Sequence, residues 1–130
     1  MRRFTLGRDQ RLKSRKQIER IFREGKSIHV FPFRIYYIPP QPFVEGRQTL
    51  QAGFGASRRN FKKAVDRNRI KRLTREAYRL KKEALGLLLK EKRLSLSLFF
   101  IYTGKELPHY ELVSGKIAVA LEKIMKEIGS

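Results

Sequence analysis

The sequence has no cysteine. Disulfide scaffolds, thiolate nucleophiles and thiolate metal sites are therefore excluded, and no oxidising compartment is implied. Acidic residues are scarce, 12 Asp plus Glu against 31 Lys plus Arg. The aspartates are Asp9 and Asp66, far apart in the chain, so no paired-carboxylate site is suggested. Two histidines, His29 and His109, stand alone without metal-ligand spacing and read as ordinary surface or strand residues. The longest near-apolar run, LSLSLFFIY, is far too short to span a bilayer. The N-terminal MRRFTLGRDQRLKSRK is basic without an apolar stretch, so no signal peptide is expected and the cytoplasm is the expected compartment. No internal repeat is visible.

What remains is a basic chain with a core. The hydrophobic fraction of 41% is enough for a folded domain, and 130 residues fit one domain spanning the chain, with about residues 1–10 as a flexible basic tail. The net charge of +19 repels itself and exceeds what solubility requires. A polyanionic partner is the leading explanation, nucleic acid before an anionic membrane surface.

Periodicity gives the order helix, strand, strand, helix, strand, helix, with room for an extra short strand in the first hairpin. SRKQIERIFREG has Ser14 and Gln17 at capping-box spacing, then Ile18, Ile21 and Phe22 as an apolar stripe. Gly25 is expected to close that helix in the left-handed conformation. SIHVFPFRIYYIPP reads as a strand ended by Pro39 and Pro40, with Pro32 marking an edge or irregularity. Alternation places Phe31, Phe33, Ile35 and Tyr37 on one face, and Arg34, Tyr36 and Ile38 on the other. TLQAGFGAS is a strand in which Gly53 and Gly55 allow close approach of another backbone, so GFG reads as packing and not as a phosphate loop. A long helix is expected over roughly residues 61–90, then a buried strand in RLSLSLFFIY. A final amphipathic helix offers Leu112, Ile117, Leu121, Ile124 and Ile128 to the core. The strand–helix–strand segment suggests a crossover within one sheet.

The long helix carries the functional signal. Ile70, Leu73, Ala77, Leu80, Ala84 and Leu87 form the expected buried stripe, while Arg67, Lys71, Arg75 and Arg79 run at four-residue steps on the other side, beside Asn68 and Arg72. Like charges at that spacing cost roughly 0.2–0.5 kcal/mol per pair and give the free protein nothing in return. Residues 58–82 hold twelve basic and two acidic side chains, a net +10. An ordinary solvated face mixes signs; this one suits a phosphate backbone. On the aromatic strand, Phe33, Ile35 and Tyr37 are simplest as core. Arg34 with Tyr36 pairs a cation with a ring, which suits stacking and backbone contact with single-stranded RNA.

ASRRNFKKAVDRNRIKRLTREAYRL closely resembles the signature of the bacterial ribonuclease P protein component. In that family a basic segment leads into an Arg-Asn-Arg helix followed by Lys-Arg and Arg-Glu, matched here by Arg67, Asn68, Arg69, Lys71, Arg72, Arg75 and Glu76. The basic RLKSRKQIERIFREGK, the aromatic strand and AGFGASRR also sit where the family has them. The resemblance implies an α/β (α+β) two-layer sandwich shared with a domain of a small-subunit ribosomal protein. It also implies a left-handed crossover carrying the basic helix, against the usual right-handed rule. Activity is implied to be divided. The RNA subunit performs magnesium-dependent hydrolysis of precursor tRNA, with Mg2+ held chiefly by RNA phosphates, while the protein binds that RNA and the single-stranded 5′ leader.

Residue by residue, the resemblance assigns RNA-subunit binding to Arg58, Arg59, Lys62, Lys63, Arg67, Asn68, Arg69, Lys71, Arg72 and Arg75. It places a leader cleft between the first helix and the sheet, with Phe22 and Tyr36 at aromatic positions, Arg34 beside them, and Ile18 where some members have Phe. Thr103 and Gly104 stand where members often have basic residues, leaving Lys105 as the candidate replacement. No residue is assigned to catalysis or to a metal. The competing readings are a structural ribosomal or general RNA-binding protein, a DNA-binding helix lacking helix-turn-helix spacing, and a membrane-surface helix whose apolar stripe is already needed for the core.

Overall fold

A computed structural model describes residues 14–129, so the expected tail over residues 1–10 lies outside the described residues. Ser14 opens the first helix, α1 (Arg15–Glu24), where its side-chain oxygen accepts from the Gln17 backbone N–H at 3.4 Å. Gly25 ends α1 for a different reason from the one expected. Its backbone is extended (φ −78°, ψ 165°), and a Cβ there would lie 2.4 Å from the Ile21 carbonyl oxygen and 2.7 Å from that of Tyr37. The glycine lets the chain leave the helix pressed against the sheet.

The aromatic segment is a hairpin and not one strand. β1 (Lys26–Val30) and β2 (Phe33–Pro42) pair antiparallel from Val30↔Phe33 to Lys26↔Tyr37. The turn is formed by Phe31 and Pro32, so Phe31 leaves the strand alternation, does not share the face of Phe33, Ile35 and Tyr37, and is 66% exposed. Pro39 and Pro40 do not end β2; the register shifts between Ile38 and Gln41, and that irregularity absorbs both prolines. β3 (Leu50–Ala56) follows, then α2 (Ala64–Lys81), α3 (Glu83–Lys92), β4 (Leu94–Tyr102) and α4 (Tyr110–Gly129). The sheet order is β1-β2-β4-β3, mixed, with β3 parallel to β4 and joined to it through α2 and α3. This is the α+β arrangement expected, with the optional strand present.

Alternation sorts the sheet into two faces. Phe33, Ile35 and Tyr37 of β2, Leu50 and Ala52 of β3, and Leu96, Leu98, Phe100 and Tyr102 of β4 are buried in one core with residues of α2, α3 and α4. Phe54 joins this layer through rings at 5.6 Å from Tyr78 and 5.7 Å from Phe100. α1 lies on the opposite face, where Phe22 meets Tyr36 and Phe99.

The expected long helix is interrupted at Lys82, and its buried stripe differs from the pattern of aliphatic residues. Ile70, Thr74, Ala77 and Tyr78 are buried on α2, then Leu85 and Leu89 on α3; Leu80, Ala84 and Leu87 are exposed. The polar-looking members decide the face. The Thr74 hydroxyl donates to the Ile70 carbonyl at 2.8 Å, removing the cost of its burial, and Tyr78 supplies the largest fully buried side chain. On α4, Val113 takes the place expected for Leu112, which is exposed, while Ile117, Leu121 and Ile124 are buried as expected and Ile128 packs at the margin.

Candidate nucleic-acid interface

The basic segment begins on a pinned turn. The Ser57 N–H donates to the Tyr102 carbonyl at 3.3 Å, and Phe61 N–H to the Ser57 carbonyl at 3.0 Å. Between them the Asn60 side-chain amide donates to the carbonyls of Thr103 and Gly104, each at 3.2 Å. Phe61 is buried beside Tyr102, ring centroids 6.0 Å apart. Arg58 and Arg59 are therefore held outward on a turn fixed to the end of β4, and Lys62 and Lys63 continue the exposed run into α2. Asn60 escaped the sequence reading; its proximity to arginines made it look like part of the charged face, whereas it is the clamp beneath it.

On α2 the outermost positions are Asn68, Arg69 and Arg72, all exposed, with Val65 at 76% exposure beside them. The row Arg67, Lys71, Arg75 and Arg79 occupies the half-buried shoulder of the helix and not its crest. Arg67 donates to the carbonyls of Phe61 (2.8 Å) and Lys62 (2.9 Å), so it closes the entry to α2, where the N-cap residue Lys63 makes no side-chain capping bond. Arg79 pairs with Glu76, and that hydrogen bond holds the Glu76 carboxyl below its ordinary value. Lys82 is shifted downward by burial and then by the charge of Arg79. Glu76, at the end of the arginine-rich crest, is thus already committed to Arg79.

The second surface is the sheet face carrying α1. Phe22 sets its ring edge-on to Tyr36 at 4.8 Å and to Phe99 at 5.2 Å. Phe22 remains 41% exposed, and Tyr36 and Phe99 are half-buried. Taking LSLSLFFIY as simply buried passes over Phe99; the alternation of Leu with Ser in that strand is the signal for a second, partly open face. Gly55 admits this cluster, since a Cβ there would touch the Phe99 ring at 3.2 Å; the close approach is by a ring and not by a backbone. Arg34 is exposed two residues from Tyr36 on the same face, in register with His29 and Ile101. Ile18 is half-buried one helical turn before Phe22.

A cleft of about 860 Å³ opens beside α1, lined by Gln17, Arg20, Ile21, Ile38, Gln51 and Ser97 among others. Ile18, Phe22, Arg34 and Tyr36 are not part of its wall. α1 therefore separates two areas: the polar cleft toward Ile38 and Ser97, and the aromatic cluster with Arg34 toward the β1–β2 turn. Of the positions after β4, the Thr103 N–H and hydroxyl both donate to the Pro32 carbonyl, at 2.7 and 3.0 Å. A Cβ on Gly104 would lie 2.5 Å from the Tyr102 hydroxyl oxygen. Both positions are structurally committed, and Lys105 is exposed.

Among the described residues no group of three or more His, Asp or Glu side chains could hold a metal ion, and no helix is long and apolar enough to cross a membrane.

A family model described as Ribonuclease P matches residues 6–124. The Ribonuclease P protein component of Porphyromonas gingivalis is 32% identical over 127 residues, 98% of this chain and 91% of the relative. That of Chlorobium phaeobacteroides is 31% identical over 128 residues, 92% of this chain and 88% of the relative. The structure of the Staphylococcus aureus RNase P protein superposes with a TM-score of 0.63 at 21% identity, covering 90% of this chain and 95% of that one. The last likeness is one of fold.

Proposed function

Since this chain belongs to the ribonuclease P protein component family, we propose that it binds the RNA subunit of that ribonucleoprotein and the 5′ leader of precursor tRNA, aiding magnesium-dependent endonucleolytic removal of the leader. The observation that carries the reading is the arrangement of α2. Its inner side is core, and its crest, Arg69 and Arg72 with Arg58, Arg59, Lys62 and Lys63 before it, is an exposed cationic surface. Phosphates spaced along RNA are the partner for such a row, and releasing their counterions drives the association. DNA and membrane partners are not expected.

Phe22, Tyr36 and Phe99 with Arg34 support the second half of the reading. Aromatic rings stack bases of any sequence while a guanidinium meets phosphate, which suits a subunit that must accept many leaders. The hydrolytic chemistry is assigned to the RNA, with Mg2+ held mainly by RNA phosphates, as the family resemblance implies.

Reconstitution tests this. Purified protein added to ribonuclease P RNA at low magnesium is expected to restore cleavage of precursor tRNA at the mature 5′ end, whereas protein alone with magnesium is expected to cleave nothing. Absence of stimulation, or correct maturation without the RNA subunit, would overturn the proposal.

A further inference from the structure

The β1–β2 turn carries an aromatic side chain that nothing in the fold uses. Phe31 is 66% exposed, its ring 6.2 Å from that of His29 and nearly perpendicular to it. His29 is in register with Arg34, which is exposed on the same sheet face as Tyr36, about 7 Å along the strand. The register positions around them are Ser27, Tyr36, Phe99 and Ile101, none of which is a carboxylate. The turn is also rigidly seated, because the Pro32 carbonyl accepts from both the N–H and the hydroxyl of Thr103. Thr103 in turn accepts from Asn60, the clamp beneath Arg58 and Arg59. A ring, an imidazole and a guanidinium are thus fixed at the margin shared by the aromatic cluster and the basic turn.

We infer that Phe31, with His29 and Arg34, is a further base-stacking subsite for the single-stranded 5′ leader, continuous with the Phe22–Tyr36–Phe99 cluster. The inference rests on the leader-binding reading above and extends it to one more nucleotide position. Base stacking on Phe31 places the adjoining phosphate within reach of Arg34, the same division of labour that sequence-tolerant single-strand binders use. Charge favours this occupant: a chain of net +19 places no acid at the site's register positions. Phe31 is assigned to the leader because, through His29 and Arg34, it adjoins the face that carries Tyr36.

The chain has no tryptophan, so Phe31→Trp supplies a single reporter whose emission a stacked base quenches. Leu87→Trp, on the exposed side of α3, serves as control. The emission of Phe31→Trp is expected to be unchanged on assembly with the RNA subunit and on adding mature tRNA, and quenched on adding precursor tRNA; the control should not respond to precursor. Phe31→Ala, at an exposed turn, should stay folded and weaken holoenzyme binding of precursor about tenfold or more, with RNA-subunit affinity unchanged. Quenching already present after assembly with the RNA subunit would overturn the assignment. So would emission indifferent to precursor in a holoenzyme that cleaves normally. The latter result leaves the proposed function intact, whereas a holoenzyme that neither assembles nor cleaves refutes that function itself.

Discussion

Arg67 donates from its guanidinium to the carbonyl oxygens of Phe61 and Lys62, at 2.8 and 2.9 Å. One of the arginines matched to the family's basic motif therefore also fastens the start of the helix that displays the others. Hydrogen bonds from a charged donor contribute about 1.5–3 kcal/mol each, less where solvent competes, as it does at the exposed Lys62 carbonyl. Arg67→Ala is expected to lower stability by about 1–2 kcal/mol in denaturant unfolding. Arg72→Ala, with its side chain exposed, should unfold at the wild-type midpoint. Equal midpoints for the two variants would show that the Arg67 bonds contribute nothing.

Gly25 is the hinge between α1 and the hairpin. A methyl group there meets two carbonyl oxygens, of Ile21 and Tyr37, at distances no real Cβ tolerates. Because both are backbone atoms, relief requires moving α1. Gly25→Ala should cost about 1–3 kcal/mol, the usual range for forced overpacking, and should loosen Phe22 from Tyr36 and Phe99. Thermal unfolding gives the cost, and amide exchange over residues 15–24 reports the detachment. Wild-type values in both would refute the steric account.

Tyr37 donates its hydroxyl to the Glu127 carboxylate, joining β2 to the end of α4. Burial first, then that hydrogen bond and the carboxylate charge, push its pKa from 10.0 to about 12. A folded-state value above the unfolded one means that this contribution is complete below pH 10 and is lost as pH rises from 10 toward 12. Tyr37→Phe should cost about 0.5–1.5 kcal/mol at pH 8. It should also flatten the alkaline decline of stability, measured by urea unfolding at pH steps. An unchanged alkaline limb in the variant would mean that Tyr37 does not govern it.

Much of this architecture was legible in the residue pattern, and the departures share one cause. Thr74 and Tyr78 look polar by composition, yet a hydroxyl satisfied within its own helix turn and a ring with one polar atom belong in a core. Counting only aliphatic residues displaced the buried stripe toward Leu80 and Leu87. Alternation likewise placed Phe31 on the face of Phe33, because counting across Pro32 ignores that the proline makes the turn where alternation stops. Phe22 and Tyr36, which the family resemblance sets together, do lie in contact, their ring centroids 4.8 Å apart. The partner from β4, Phe99, and the clamp Asn60 depend on contacts distant in sequence that no local pattern encodes.

Tyr36 is the direct probe of leader recognition in the proposed function. Stacking is worth about 1–3 kcal/mol per base, and mature tRNA has no leader to stack. Tyr36→Ala should reduce the ratio of holoenzyme affinities for precursor over mature tRNA by tenfold or more, with mature tRNA binding nearly unchanged. Phe22→Ala is a less clean probe, since Phe22 also braces α1 against the sheet. A folded Tyr36→Ala variant with the wild-type ratio would reduce Tyr36 to packing.

The central claim, that the crest of α2 docks on the RNA subunit, is tested most directly by the salt dependence of that binding. Arg69 and Arg72 are both exposed and both lie off the buried stripe. Replacing the two with alanine should leave the unfolding midpoint in place while weakening RNA-subunit binding. Each lost phosphate contact lowers the slope of log K against log salt by about 0.7–0.9, so the double variant should show a decrease of up to about 1.4–1.8. A folded double variant with the wild-type affinity and slope would place the RNA-docking surface elsewhere on the protein.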